Sequence, residues 1–411
     1  MTRLTLTVVL CALSSSTGCK LLDRNKDKDQ AAPAPPEATP TKAPEAPPAA
    51  PAKVVVPTEG CEMPKDGIVR VDFTVKKGCT VDGHRNIVVR DNATLTVEPG
   101  AKVVMDSGHY ISVDKGKLVA AGTEAEPIVF TSAAATKAPG DWVGIFFSDN
   151  TSAGTVLDHV RIEYAGSSRS GGKGAVTIQG RRPGARIAIT STVIEHSEQA
   201  AVWADAEKGA FAKFEQNKLD KNKVSLSVPA QMLGSVGAGN SFGQPLTTWG
   251  TVSDTVSWPA VDVPIIVERN VLVGDAGGAP TLTIAPKTVL KFSGGKYLDV
   301  GVRDGGTLVA REVTFTSANA TPRPGDWSGI HLQRRATNVD LTGSTVEHAG
   351  KGSGAKAGVT VHAKGAELAG LKAGAMTFRD NEGAGVSTED GVCTPFEAGS
   401  KSEGSPLCKK R

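Results

Sequence analysis

Three glutamates occupy matching places in short alternating strings: Glu163 in IEYAG, Glu195 in IEHS and Glu347 in VEHAG. Alternation turns Ile162, Ile194 and Val346 to one face and the glutamates to the other. If Glu163 and Glu195 stack on neighbouring strands, ~4.8 Å apart, their like charges should raise one pKa. A proton donor beside a proton acceptor suits glycosidic-bond cleavage, where the separation of the carboxyl groups sets the mechanism. The recurrence of the motif in both halves of the chain favours a plainer reading. In that reading the glutamates are exposed residues of a repeated strand, each solvated or paired with a Lys or Arg.

Arginines supply the second candidate chemistry. QGRRPGAR (179–186) and QRRA (333–336) place Arg181, Arg182, Arg186, Arg334 and Arg335 in or beside turns. Guanidinium groups match carboxylate, sulfate and phosphate geometry, so the expected ligand is an anionic polysaccharide or lipopolysaccharide. Solvated turn arginines are the competing reading, and the two clusters do not fall at equivalent places. His159, His196, His331, His348 and His362 are scattered without HxxxH or HExxH spacing, so neither a metal nor a cofactor is expected. Tyr164, His196 and His348 follow the glutamates and are expected at strand corners. GSGAKAG (352–358) lacks the GKS/T ending of a phosphate loop and reads as a turn insertion, as does GSSRSGGKG (166–174). A formal net charge of +3 argues against a nucleic-acid partner.

The elements that must carry these residues follow from a repeated string. PGDWVGI (139–145) returns as PGDWSGI (324–330), although the chain holds only 5 Trp. The match extends outward: GKLVAAG with GTLVARE, PIVFTS with VTFTS, LTVEPG (95–100) with LTIAPK (282–287). The chain is an internal duplication of ~185 residues, too long for one solenoid repeat, so each copy must contain smaller units. Those units are runs of four to six β-branched and apolar residues at period two, separated by Gly, Asn, Asp or Pro turns. Echoes with turns near Ser197, Asn222 and Asn381 recur at ~20–30 residues. Short strands recurring once per unit build a parallel solenoid, in which each rung covers the apolar edge of the last. Asp141-Trp142 and Asp326-Trp327 are expected to be packing devices, with Gly144 and Gly329 leaving room for the indole rings.

These motifs resemble the right-handed parallel β-helix of pectate-lyase-like proteins and bacterial surface lipoproteins, over roughly residues 65–390. The resemblance implies an all-β fold; it is poor for activity, because such folds host many functions. Pectate lyases use calcium-bound aspartates beside a basic residue, and no such acidic cluster stands on one strand face here. The expected division is a first half at 58–228, a junction at 229–265, a second half at 266–390 and a tail at 391–411.

The N-terminus carries targeting signals. Arg3, an apolar run from Leu4 to Leu13 and small residues up to Gly18 make a leader over 1–18, too short to span a bilayer. Ser16-Thr17-Gly18-Cys19 resembles a bacterial lipobox, with Ser16 where the pattern prefers Leu. Cys19 is then the lipidated residue, and Lys20 favours the outer membrane. Residues 19–57 form a Pro/Ala-rich linker expected to be disordered and extended. Cys61, Cys79, Cys393 and Cys408 fall as two local pairs, one near each end of the folded region. Disulfides closing such loops are each worth ~3 kcal/mol in the chain-entropy model. The functional expectation is a lipid-anchored, non-catalytic β-helix that binds envelope or extracellular polysaccharide or a protein partner. The alternatives are a polysaccharide lyase or glycoside hydrolase using Glu163 and Glu195, and a purely structural envelope protein.

Overall fold

The computed structural model describes residues 59–168, 171–180, 187–206, 211–275, 277–352, 355–364, 368 and 370–411. The leader, Cys19, the linker up to residue 57, and Arg181, Arg182 and Arg186 lie outside the described residues.

Every pair of named strands is parallel, and each strand pairs with the one a full turn of chain away. Thr80–Gly83, Lys102–Met105, Ile128–Ser132, Val160–Glu163, Val193–Glu195, Lys218–Asp220 and Ser241–Phe242 form one such ladder. A second ladder runs from Glu59–Gly60 to Phe211–Glu215. A third passes through Tyr110–Val113, Gly144–Phe147, Gly174–Gly180, Ala200–Ala206, Val224–Pro229 and Leu246–Val252. Parallel pairing demands a long crossover between partners. Here the crossover is made by the strands of the other two ladders.

Period-two alternation decides which residues enter the core. Val81, Val103, Phe130, Ile162, Ile194 and Leu219 sit opposite one another on successive strands, each at most 2% exposed. Burial of each such side chain contributes ~1.5–3 kcal/mol, and each needs the rung above and below to obtain it. Turns are closed by buried asparagines whose amides meet two backbone groups at once. Asn217 donates to Ile189 O (2.8 Å) and accepts from Thr192 N (3.0 Å). Asn222 does the same with Ile194 O and Ser197 N, and Asn381 with Val346 O and Ala349 N.

Across residues 229–265, expected as a junction, the third ladder runs on, while the first ends at Ser241–Phe242 and the second has already ended at Phe211–Glu215. Ile265–Val273 pairs along its length with Leu246–Val252, then divides between two successors: Ile265–Val267 with Val289–Phe292, and Val271–Val273 with Tyr297–Val300. Two separate ladders continue from there to Lys401–Glu403 and Cys408–Lys410. A 3-10 helix, Ala230–Ser235, lies between the strands Phe211–Glu215 and Val256–Trp258, accepting a bond from Trp258 Nε1 at Ala230 O (2.8 Å). Disulfides Cys61–Cys79 and Cys393–Cys408 close loops near the two ends, with the pairing the spacing predicts.

The duplicated string folds identically in its two copies. Trp142 and Trp327 are fully buried, and their indole N–H groups donate to Glu163 O and Glu347 O, each at 2.8 Å. Asp141 accepts from Ser132 Oγ and Ala138 N; Asp326 accepts from Ser317 Oγ and Arg323 N. Gly140 and Gly325 have φ of +83° and +79°, and a Cβ there would strike the carboxylates of Glu198 and Glu382. Gly144 and Gly329 play a different part from the one expected. A Cβ on either would meet carbonyl oxygens of the next strand at 2.6 Å, so they admit the neighbouring backbone and not the indole ring. The ring of Trp327 stacks on Phe292 instead, at 4.1 Å.

Replacing Trp142 or Trp327 by Ala is expected to cost ~3–5 kcal/mol each, because every ring contact and one buried hydrogen bond vanish together. Urea unfolding followed by circular dichroism checks this; a loss below about 1 kcal/mol would refute the packing role.

Candidate functional site

Glu163 and Glu195 stand directly opposite each other on one ladder, and Glu347 stands on another. Arg161 is hydrogen-bonded to both. Its guanidinium donates to Glu163 through Nε (3.1 Å) and Nη2 (2.8 Å), and through Nη2 also to Glu195. Hydrogen bonding to Glu163 holds the Arg161 pKa above its ordinary value against the opposing effect of burial, with the charge of Glu195 assisting. Thr131 donates to Glu163 at 3.1 Å, and Lys221 stands 3.5 Å from Glu195. The two carboxylates therefore share a cation and do not confront each other bare. Glu347 repeats the arrangement with Arg379 at 3.2 Å, which also binds Glu403 at 3.0 Å. Tyr164, His196 and His348 turn the chain at the ends of these strands with φ of +60°, +59° and +61°. Tyr164 and His196 stack at 5.0 Å.

A different grouping forms where the second half presents its other outer face. Asp299 lies opposite His331, which lies opposite Thr360, then Ser387 and Lys409 on successive strands. Beside this row, the turns after Tyr297–Val300 and Gly329–Leu332 bring Arg303, Arg334 and Arg335 together. They border a shallow cleft of ≈ 440 Å³ that Asp299, Gln333, His362 and Glu389 also line. Arg334 contacts both carboxylate oxygens of Glu389 at 3.2 Å. Arg335 is 3.7 Å from Asp304 and donates to Arg303 O, and Arg303 is 3.3 Å from Asp275. Burial pushes the Asp299 carboxyl above its ordinary range, against a hydrogen bond from Gln333 Nε2 at 2.8 Å.

His331 and His362, far apart in the sequence, are partners here. His331 Nδ1 lies 3.0 Å from His362 Nε2, and Arg411 reaches His362 Nδ1 at 2.8 Å. A guanidinium can only donate. His362 Nδ1 must therefore accept, so a neutral His362 carries its proton on Nε2 and donates to His331 Nδ1. Burial and the nearby His362 drive the His331 pKa down to about 4. Burial, reinforced by Arg411, lowers that of His362 as well. Both rings are neutral at pH 7. Among the described residues no group of three His, Cys, Asp or Glu is placed to hold a metal ion.

Arg334 and Arg335 were legible as candidates; Asp299, Arg303, Glu389 and the histidine pair were not selected as a group. The alternation in YLDV (297–300) and GIHL (329–332) places Asp299 and His331 on outer faces, and that was the available signal. Arg181 and Arg182 lie outside the described residues.

Residues 67–154 match the family model described as a pectate-lyase like beta helix domain. This match and the parallel ladders support a right-handed parallel β-helix. This fits a carbohydrate-related β-helix. No curated protein and no solved structure matches the chain.

The histidine pair makes a pH prediction. The folded pKa of His331, about 4, lies below its ordinary 6.5, so the unfolded chain takes up the proton first as pH falls. Stability from this group is complete above pH 6.5, declines by about 3 kcal/mol as pH drops toward 4, and levels off below. Histidine NMR titration checks the cause: a His331 midpoint near 6.5 in the folded protein would remove it.

Proposed function

We propose that this protein is a bacterial envelope lipoprotein, tethered through Cys19 and its Pro/Ala linker, that binds an acidic polysaccharide without cleaving it. The observation that carries the reading is the convergence of Arg303, Arg334 and Arg335 on one cleft. All three side chains are well exposed, and their carboxylate contacts are surface ion pairs. Such pairs contribute ~0–1 kcal/mol, so a ligand carboxylate or sulfate can replace them with little loss. A guanidinium fork accepts either group through two parallel hydrogen bonds. Gln333 and His362 border the same cleft and offer polar contacts to sugar hydroxyls.

A second reading, a carbohydrate-active enzyme, draws support from Asp299, whose carboxyl is raised by burial and stands opposite neutral His331. It would place acid–base chemistry at Asp299 and not at Glu163 and Glu195, which Arg161 holds charged-paired.

Calorimetry with decagalacturonate and with sulfated dextran tests the binding reading. The Arg334→Gln/Arg335→Gln variant should bind ~10-fold or more weakly, the cost of losing two charged hydrogen-bonding partners. Shortened products in the mass spectrum that disappear in Asp299→Asn would replace the binding protein by an enzyme. Retention of neither polymer would leave a structural envelope role. The tether has its own check: Cys19→Ser should move the protein out of the membrane fraction, and continued membrane association would exclude lipidation as the anchor.

A further inference from the structure

The outer face that carries the cleft changes character toward the N-terminal side. Along the third ladder, Phe146, Thr177, Trp203, Ser227 and Thr247 lie opposite one another on successive strands, with Phe146 and Trp203 half-buried and Thr177, Ser227 and Thr247 buried. Trp249 follows on the strand of Thr247. Trp142, Trp258 and Trp327 are core residues. Trp203 and Trp249 are side by side on the side of the strands turned away from the core cluster, Trp203 half-buried and Trp249 only 7% exposed, with centroids 6.4 Å apart and rings 26° from parallel. Each ring carries a cation over it. Lys173 Nζ lies 4.5 Å from the Trp203 centroid, and the Arg269 guanidinium lies 4.6 Å from that of Trp249.

Lys173 and Arg269 are both exposed. Among the described residues neither has a carboxylate within ion-pair distance, in contrast to the arginines of the cleft. Glu268, next to Arg269, has its pKa raised by burial against the opposing charges of Arg269 and Lys223. Two indoles and two cations that, among the described residues, lie outside ion-pair distance of any carboxylate are complementary to a ligand that combines apolar ring faces with negative charge. The cation–π contacts holding the cations over the rings are worth ~0.5–1 kcal/mol each at exposed sites, and a ligand anion can draw the cations aside. The apolar face of a pyranose then takes their place on the indole.

The position relative to the cleft is set by strand pairing. The strand of Trp249 pairs with Ile265–Val273, which pairs with the strand of Asp299. Two strand spacings amount to ~10 Å along the solenoid axis. We propose that Trp203, Trp249, Lys173 and Arg269 form a second subsite for an acidic saccharide, so that one polysaccharide chain spans it and the arginine cleft. This rests on the reading of the cleft as an acidic-saccharide site, but it can be tested apart from it.

The test uses the full-length protein with trigalacturonate and decagalacturonate, read by calorimetry and by tryptophan emission. Lys173→Gln/Arg269→Gln should weaken the decasaccharide ~10-fold, as expected for losing two charged partners, and leave the trisaccharide within twofold. The decasaccharide should shift tryptophan emission, and Trp203→Phe should reduce that shift while preserving the fold. Unchanged decasaccharide affinity in Lys173→Gln/Arg269→Gln would overturn the second subsite and leave the cleft reading intact. In the opposite case, Arg334→Gln/Arg335→Gln would bind and shift tryptophan emission like the unmodified protein. That result would support the subsite and remove the cleft. Absence of any emission change in the unmodified protein at saturating decasaccharide would overturn the subsite directly.

Discussion

Everything in this molecule depends on one constraint: no rung can bury its own apolar row. An inward Ile or Phe on a single rung would have solvent above and below it. Stacking places Val103 between Val81 and Phe130, and Ile162 between Phe130 and Ile194. Hydrophobic burial and the parallel hydrogen-bond ladder are therefore gained in the same step. The same constraint explains why the 3-10 helix and the branching strand Ile265–Val273 can be accommodated midway. Each still offers a surface that the next rung covers.

The duplicated Gly-Asp-Trp string meets that constraint where a long loop rejoins the ladder. The Asp closes the loop on a Ser hydroxyl and a backbone amide, and the Trp fills the space inside. Its N–H ties the ring to the carbonyl of the following strand. Positive φ at Gly140 and Gly325 lets the backbone pass close to Glu198 and Glu382. Two copies of one packing solution in two halves of a solenoid are what a structural need produces. A reacting centre, by contrast, is needed once.

The outer faces are where the halves diverge. Glu163, Glu195 and Glu347 belong to the repeated part, and arginines neutralise them in both copies. Among the described residues, the arginine cleft, the His331–His362 pair and the tryptophan pair have no such duplication. They stand on one continuous run of strands, which changes from aromatic to polar along the axis. Outer faces that differ between otherwise similar halves give the solenoid a direction along its axis, which the duplicated core alone does not.

Period-two alternation, the duplicated string and the Gly/Asn punctuation were enough to read the strands, their parallel stacking and the burial of Trp142 and Trp327. Cysteine spacing was enough for both disulfides. These are legible because they depend on neighbours within a few residues, or on the chain matching itself. Arg334 and Arg335 stood out for a similarly local reason, as a basic pair in a turn. The meeting of Arg161 with Glu195, of His331 with His362 and Arg411, and of Trp203 with Trp249 was decided only by the tertiary structure. Each contact joins residues on different rungs, and the rungs differ in length because their loops do. Outward residues have no hydrophobic pattern to fix their register, so only the completed stack sets which charges and rings become neighbours.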